Sequence, residues 1–244
     1  MGSSSLKKVI KYSVWGILLI LLLVSLSYIT TFTALFWSLV QPANIDFENW
    51  DKPDPELVIV DMADHQFAIP QGYFMSGRMK REKVKVSDAT LWALLPDMKP
   101  YAQNTKQEFE KLGYGKVVLI GVGAREDRPR LPEVYQRIKG RYSELVSNEN
   151  MKRIGLELYR EPGGHWDELM VHLDGGNVTY IMQCMLLGNR PSPSCKVHMD
   201  YSDEIYVRYT FGRDHLEQWQ EIDAKVRKTL RHFEQSATTS SNNQ

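Results

Sequence analysis

The chain has 244 residues, 43% of them hydrophobic, with 30 Lys+Arg against 30 Asp+Glu and a formal net charge of zero. That length accommodates one or two domains plus an appended segment, at about 100–200 residues per domain. The charge balance argues against nucleic-acid binding, which needs a strongly basic face to neutralise phosphates.

In chain order, residues 1–12 carry Lys7, Lys8 and Lys11, and no charged residue follows until Asp46. The apolar heart runs from Val14 to Val40, with Trp15 at one end and Phe36 and Trp37 at the other. A helix needs about 20 apolar residues to cross the hydrocarbon core. Preceding lysines hold the N-terminus in the cytoplasm, and aromatic residues mark both interfaces. The reading is a single transmembrane anchor over residues 13–40, single-pass in a bacterial inner membrane, with all that follows in the oxidising periplasm. A cleaved signal peptide is the alternative. It shares the basic start and leucine-rich run, but the run is too long and no clear small-x-small site follows.

Residues 41–56, with Pro42, Pro53 and Pro55, read as a linker. A domain is expected over 57–235, divisible into sublobes 57–124 and 151–235. Residues 57–62 and 65–70 read as strands around a turn at Ala63–Asp64, residues 105–112 as a helix stopped by Gly113, and residues 116–124 as a central strand. The charged stretch 125–150 holds a helix from Leu131 to about Val146, weakened by Gly140.

Four strands are expected after residue 160, within 165–174, 177–184, 195–201 and 204–211, and their short breaks imply antiparallel hairpins. Period-2 parity places Leu169, Val171 and Leu173 on one side with Val178, Tyr180, Met182 and Cys184. Cys195, Val197, Met199, Ile205, Val207, Tyr209 and Phe211 continue that apolar face. The other face is mostly polar, as in a one-sided sheet. A closing helix, about Arg213 to Phe233, repeats Leu216, Trp219, Ile222, Val226, Leu230 and Phe233 every three or four residues, which fits a stripe lying on that face. Residues 236–244 read as a disordered tail. The expected fold is α+β: an N-terminal transmembrane helix, then a periplasmic domain whose mainly antiparallel sheet is packed by a C-terminal amphipathic helix.

Cys184 and Cys195 are the only cysteines. They lack CxxC spacing, and no further thiol or imidazole ligands at motif spacing point to zinc. At the mouth of a hairpin loop, opposed Cβ atoms stand about 4.5–5.5 Å apart, near what a disulfide accepts, and an oxidising compartment closes such pairs. The loop between them, with Asn189 and Arg190, is then shaped and semi-rigid, which suits either a partner-binding surface or protection against proteolysis.

Two His-x-Asp pairs, His172/Asp174 and His198/Asp200, fall on strands about 9.5 Å apart across an intervening strand, too far for short Asp side chains to share a metal. His165 and Asp167 beside a turn are candidates for acid–base work, without a recognisable nucleophile motif. No metal and no cofactor are expected. Phe74, Trp92, Met98 and Tyr101 lie in Pro-interrupted apolar segments. They read either as core at turns or as a protein-binding patch, since aromatics and Met are enriched at interface cores.

The order of FAIPQGYF, LLPDMKPY, YREPGG, the paired cysteines and LEQWQEIDAKVRKTL resembles envelope proteins of Gram-negative bacteria. Some of these look like immunity proteins that neutralise toxins delivered by type VI secretion. The resemblance covers most of residues 57–235, and none of its motifs is catalytic. It implies a non-enzymatic, membrane-anchored periplasmic module that binds a protein partner, a toxin or an envelope component. The alternatives are a structural or accessory subunit of an envelope or secretion assembly, and an envelope hydrolase.

Overall fold

The computed structural model describes residues 57–74, 83–111, 115–163, 167–185 and 193–241. Their strands form two sheets. β1 (Leu57–Met62) pairs antiparallel with β2 (His65–Pro70) and parallel with β3 (Lys83–Lys85), giving a three-stranded sheet ordered β2-β1-β3. The turn between β1 and β2 is at the expected place, with Ala63 at φ 50°.

The second sheet has eight strands. They are β4 (Asp88–Leu94), β5 (Val117–Ala124), β6 (Glu144–Val146), β7 (Glu157–Arg160), β8 (Asp167–Asp174), β9 (Asn177–Met185), β10 (Ser194–Asp200) and β11 (Ile205–Gly212). The order is β4-β5-β11-β10-β9-β8-β7-β6, every neighbouring pair antiparallel. The helices are α1 (Lys106–Glu110), α2 (Leu131–Lys139), α3 (Glu149–Arg153) and α4 (Trp219–Ser241), the last entered through a 3-10 turn at Arg213–Gln218.

This overturns the α+β fold class expected for the domain. The described chain is mostly sheet with one long C-terminal helix. Among the described residues no helix is long and apolar enough to cross a membrane. The longest, α4, alternates its buried stripe with Glu221, Lys225 and Lys228, as a helix seated on a core must. Residues 13–40 and 41–56 lie outside the described residues. At the other end α4 continues to Ser241, well past Phe233, with Ala237 buried.

The inner face of the large sheet carries the main core. Ile120, Val122, Val197, Val207, Tyr209 and Phe211 pack with Trp219, Ile222, Val226, Leu230 and Phe233 of α4 and with Val58, Val60, Phe67 and Ile69 of the small sheet. Tyr180 and Tyr209 share a 3.1 Å hydrogen bond there, and the Tyr209 hydroxyl donates to Asp223 at 3.0 Å. Burial pushes both phenols up, so they remain neutral donors.

The one-sided sheet needs correcting at β8. Its register sets Met170 opposite Met182 and Glu168 opposite Cys184, so Glu168, Met170 and His172 face inward. Leu169 and Val171 point outward, and a bulge between His172 and Leu173 sends Leu173 and Val178 the same way. They are not left to water. α2 lies over that end, and Leu131, Tyr135, Tyr142, Tyr159, Leu169, Val171 and Ile181 form a second core. Parity misplaced β8 because both of its faces are buried, so alternation no longer marks inside and outside.

α2 is shorter than expected. Pro132 occupies its first turn, as suits a residue without an N–H to satisfy, and Gly140 ends it. The chain then extends into β6 instead of continuing as helix.

Candidate functional site

α2 covers only one end of the outer face. Beyond it the outward side chains of β10, β11, β5 and β4 stand in three rows, most of them exposed or half-buried and Thr210 buried. One row is Asp200, Tyr206, Gly123 and Asp88. The next is His198, Arg208, Gly121 and Thr90. The third is Lys196, Thr210, Leu119 and Trp92. Two adjoining clefts mark this surface. One of about 240 Å³ lies between α2 and β10–β11, the other of about 360 Å³ spreads toward β4, and both are lined by Tyr206 and Arg208.

β5 has glycine at two outward positions: Gly121 lines the second cleft, and Gly123 lies under Tyr206. A methyl group at Gly123 would stand 2.3 Å from the Tyr206 ring, so only glycine lets that ring lie across β5. The Arg128 guanidinium sits 4.0 Å over the same ring, and that of Arg208 is 5.9 Å away. Arg137 enters the first cleft from α2.

The loop that carries Arg128 is fixed by a neighbour in sequence. Arg125 is 6% exposed. It donates to Asp200 Oδ1 at 2.8 Å and to the carbonyls of Ser202, Asp203, Ile205 and Pro129. The other oxygen of Asp200 accepts the Leu131 N–H at 3.0 Å and so caps α2. One buried arginine thus positions the β10–β11 turn, the loop and the start of α2 together.

His198 lies between Arg208 and Lys196. Burial first, then those two positive charges, pushes its pKa down from 6.5 to about 4. The ring is therefore neutral at physiological pH. Between about 6.5 and about 4 the unfolded chain takes up a proton that folded His198 refuses, so acidification costs stability. The loss approaches roughly 3 kcal/mol at the acid end of that window. Urea unfolding of the wild type and His198→Gln at neutral and mildly acid pH checks it. A stability difference between the two chains that does not change with pH would count against it.

The residues singled out by sequence are distributed differently. Phe74, Met98 and Tyr101 are buried, and Trp92 is half-buried against the cluster of Leu94, Tyr101, Phe109 and Val117. They form no exposed patch. Leu94 and Lys99 exchange both backbone hydrogen bonds, at 2.8 and 3.1 Å, which folds residues 95–98 back into a turn and takes Met98 inward. Asn189, Arg190 and His165 lie outside the described residues. Asp167 accepts a hydrogen bond from Tyr142. His172 packs 5.6 Å from Trp219 on the inner face, whereas His198 is on the outer one. The two His-x-Asp pairs are thus separated by the sheet itself.

Cys184 and Cys195 are directly paired across β9 and β10, with Cα atoms 4.0 Å apart and sulfurs 2.03 Å apart, at disulfide distance. Closing a loop of this size stabilises by about 3 kcal/mol in the chain-entropy description. A Cys184→Ser/Cys195→Ser chain should lose about that much. The untreated protein should show no titratable thiol, and a count of two would refute the bond.

A second polar cluster has the connectivity of nucleophile, base and orienting acid. The ring of His65 lies 3.2 Å from Ser202 Oγ and 2.6 Å from Glu234 Oε1. Ser202 Oγ, however, accepts the N–H groups of Glu204 (3.3 Å) and Ile205 (3.0 Å). Its lone pairs are committed to the turn, which makes the cluster a clamp joining β2, the turn and α4. Five residues of the outer groove, Arg128, Arg137, Lys196, Tyr206 and Arg208, were not marked by any sequence motif, and His198 was marked only as half of a His-x-Asp pair. Three of the five, Lys196, Tyr206 and Arg208, appear only as alternate polar positions in two strands.

No protein-family model and no curated protein matches the chain. Among solved structures the fold is similar to that of an immunity protein of the Stenotrophomonas maltophilia type IV secretion system. The TM-score is 0.52 at 16% identity, over 73% of this chain and 93% of that one. The likeness is one of fold.

Proposed function

We propose that this chain is a non-enzymatic protein-binding module of the immunity type, which neutralises a toxin delivered by a secretion system. The observation that carries the reading is the shared fold, which spans 93% of a solved immunity protein. The outer groove supports it, because arginine and tyrosine on an open, preformed surface are the residues that dominate protein–protein binding energy. A cysteine pair at bonding distance fits work in an oxidising compartment such as the periplasm. The solved neighbour serves a type IV system, whereas the sequence resemblance points to type VI; the nature of the neighbouring toxin gene distinguishes the two. Deleting the gene in its native host should cause self-intoxication that is relieved by also deleting the neighbouring toxin gene. Loss of an envelope assembly without intoxication would instead establish the accessory-subunit reading.

A further inference from the structure

We infer that the outer groove is the docking site for an acidic segment of the protein partner, its carboxylates seated among Arg128, Arg137 and Arg208. This deepens the immunity reading and rests on it. In a chain of zero net charge, Arg128, Arg137, Lys196 and Arg208 gather on one face, and none has a carboxylate partner among the described residues. Asp200, which lines the same cleft, is already held by Arg125 and by the N–H of Leu131. It therefore does not neutralise them. Clustered like charges are unfavourable in the free protein, and an anionic partner converts that repulsion into attraction and faster encounter.

The geometry selects carboxylates over a diffuse negative charge. Arg128 is stacked on Tyr206 at 4.0 Å, with Arg208 on the same ring at 5.9 Å. Stacking holds the planar fork of Arg128 in place, so less side-chain freedom is lost when it binds a carboxylate with two N–H groups. Gly121 leaves the sheet floor bare beside them, since an added methyl group there would meet only the Arg208 carbonyl at 3.5 Å, which gives a partner side chain room to descend. A nucleic-acid strand fits poorly. The groove is short, and its end row carries Asp200 and Asp88, which would meet a continuing phosphate track.

The test replaces the chromosomal gene in the native host with Arg208→Glu, Arg128→Glu/Arg208→Glu, Arg137→Glu and, as a control on the exposed side of α4, Lys228→Glu. Lys228→Glu should protect as the wild type does. The groove variants should fail to protect while retaining the wild-type unfolding midpoint, with roughly 100-fold weaker binding to the purified suppressing toxin. An acid-to-lysine change in the toxin should restore protection by Arg208→Glu. If deletion of the whole gene is harmless, the immunity reading itself fails. If deletion is toxic but the folded groove variants still protect, the immunity reading stands and the groove assignment is overturned. Titration with a fluorescent single-stranded oligonucleotide covers the other polyanion: binding that Arg208→Glu abolishes would overturn the assignment to an acidic protein.

Discussion

An Arg160→Ala/Arg213→Ala chain should be less stable than the wild type by about 3–5 kcal/mol. Glu168, only 2% exposed, faces inward opposite Cys184. Arg160 donates to one of its oxygens through Nε and Nη2, and Arg213 donates to the other. The carboxylate thereby ties β7 and the 3-10 turn after β11 to β8, beside the cysteine pair. Without the arginines a buried negative charge has no compensation, and the desolvation already incurred is left unmatched. Adding Glu168→Leu to the double variant should return most of the loss, because an apolar side chain of similar size needs no partner. Urea titrations of the three chains decide the matter. A double variant as stable as the wild type would mean that Glu168 reaches water.

The second large effect is expected at Trp219. This residue starts the regular part of α4 and is 5% exposed. Its ring packs 4.4 Å from that of Tyr180, and its indole N–H donates to the Ile154 carbonyl at 3.0 Å. It therefore joins α4 to the sheet and to the segment between α3 and β7. Trp219→Ala should cost about 3–5 kcal/mol through lost contacts and an unfilled cavity. In a domain of this size that lowers the unfolding midpoint by about 6–20 °C. Trp219→Phe keeps most of the packing but leaves the Ile154 carbonyl without its donor, at about 1–3 kcal/mol. Thermal unfolding followed by circular dichroism separates the two terms. Equal midpoints for the two variants would show that the hydrogen bond, not the ring, anchors the helix.

Much of this architecture is written locally. Alternation in residues 195–201 and 204–211 and the Gly175–Gly176 turn give β8 to β11 as an antiparallel meander in chain order. The three-to-four-residue spacing from Leu216 to Phe233 gives the face that α4 buries. Such signals are short-range: a period of two or 3.6 needs only the residues of its own element. The pairing of Cys184 with Cys195 belongs with them, since both end strands of one hairpin.

Other features depended on distant segments. The inward turn of Glu168 and Met170 follows from β8 being buried on both faces, and the second face is covered by α2 from earlier in the chain. The burial of Met98 follows from the turn over residues 95–98, that of Phe74 from its bridge to Leu91 of β4, and that of Tyr101 from its N–H bond to the Gly72 carbonyl. The outer groove draws Arg128 and Arg137 from one excursion and Lys196, His198, Tyr206 and Arg208 from two later strands, and it is held together by buried Arg125. The sequence by itself determined β1, β2, β5 and β8 to β11, the hairpin order of the last four and the stripe of α4, because periodicity and turn chemistry act over a few residues. Only the tertiary structure decided which faces are doubly buried and where unpaired positive charge collects, because those depend on what packs above the sheet and what leaves it open.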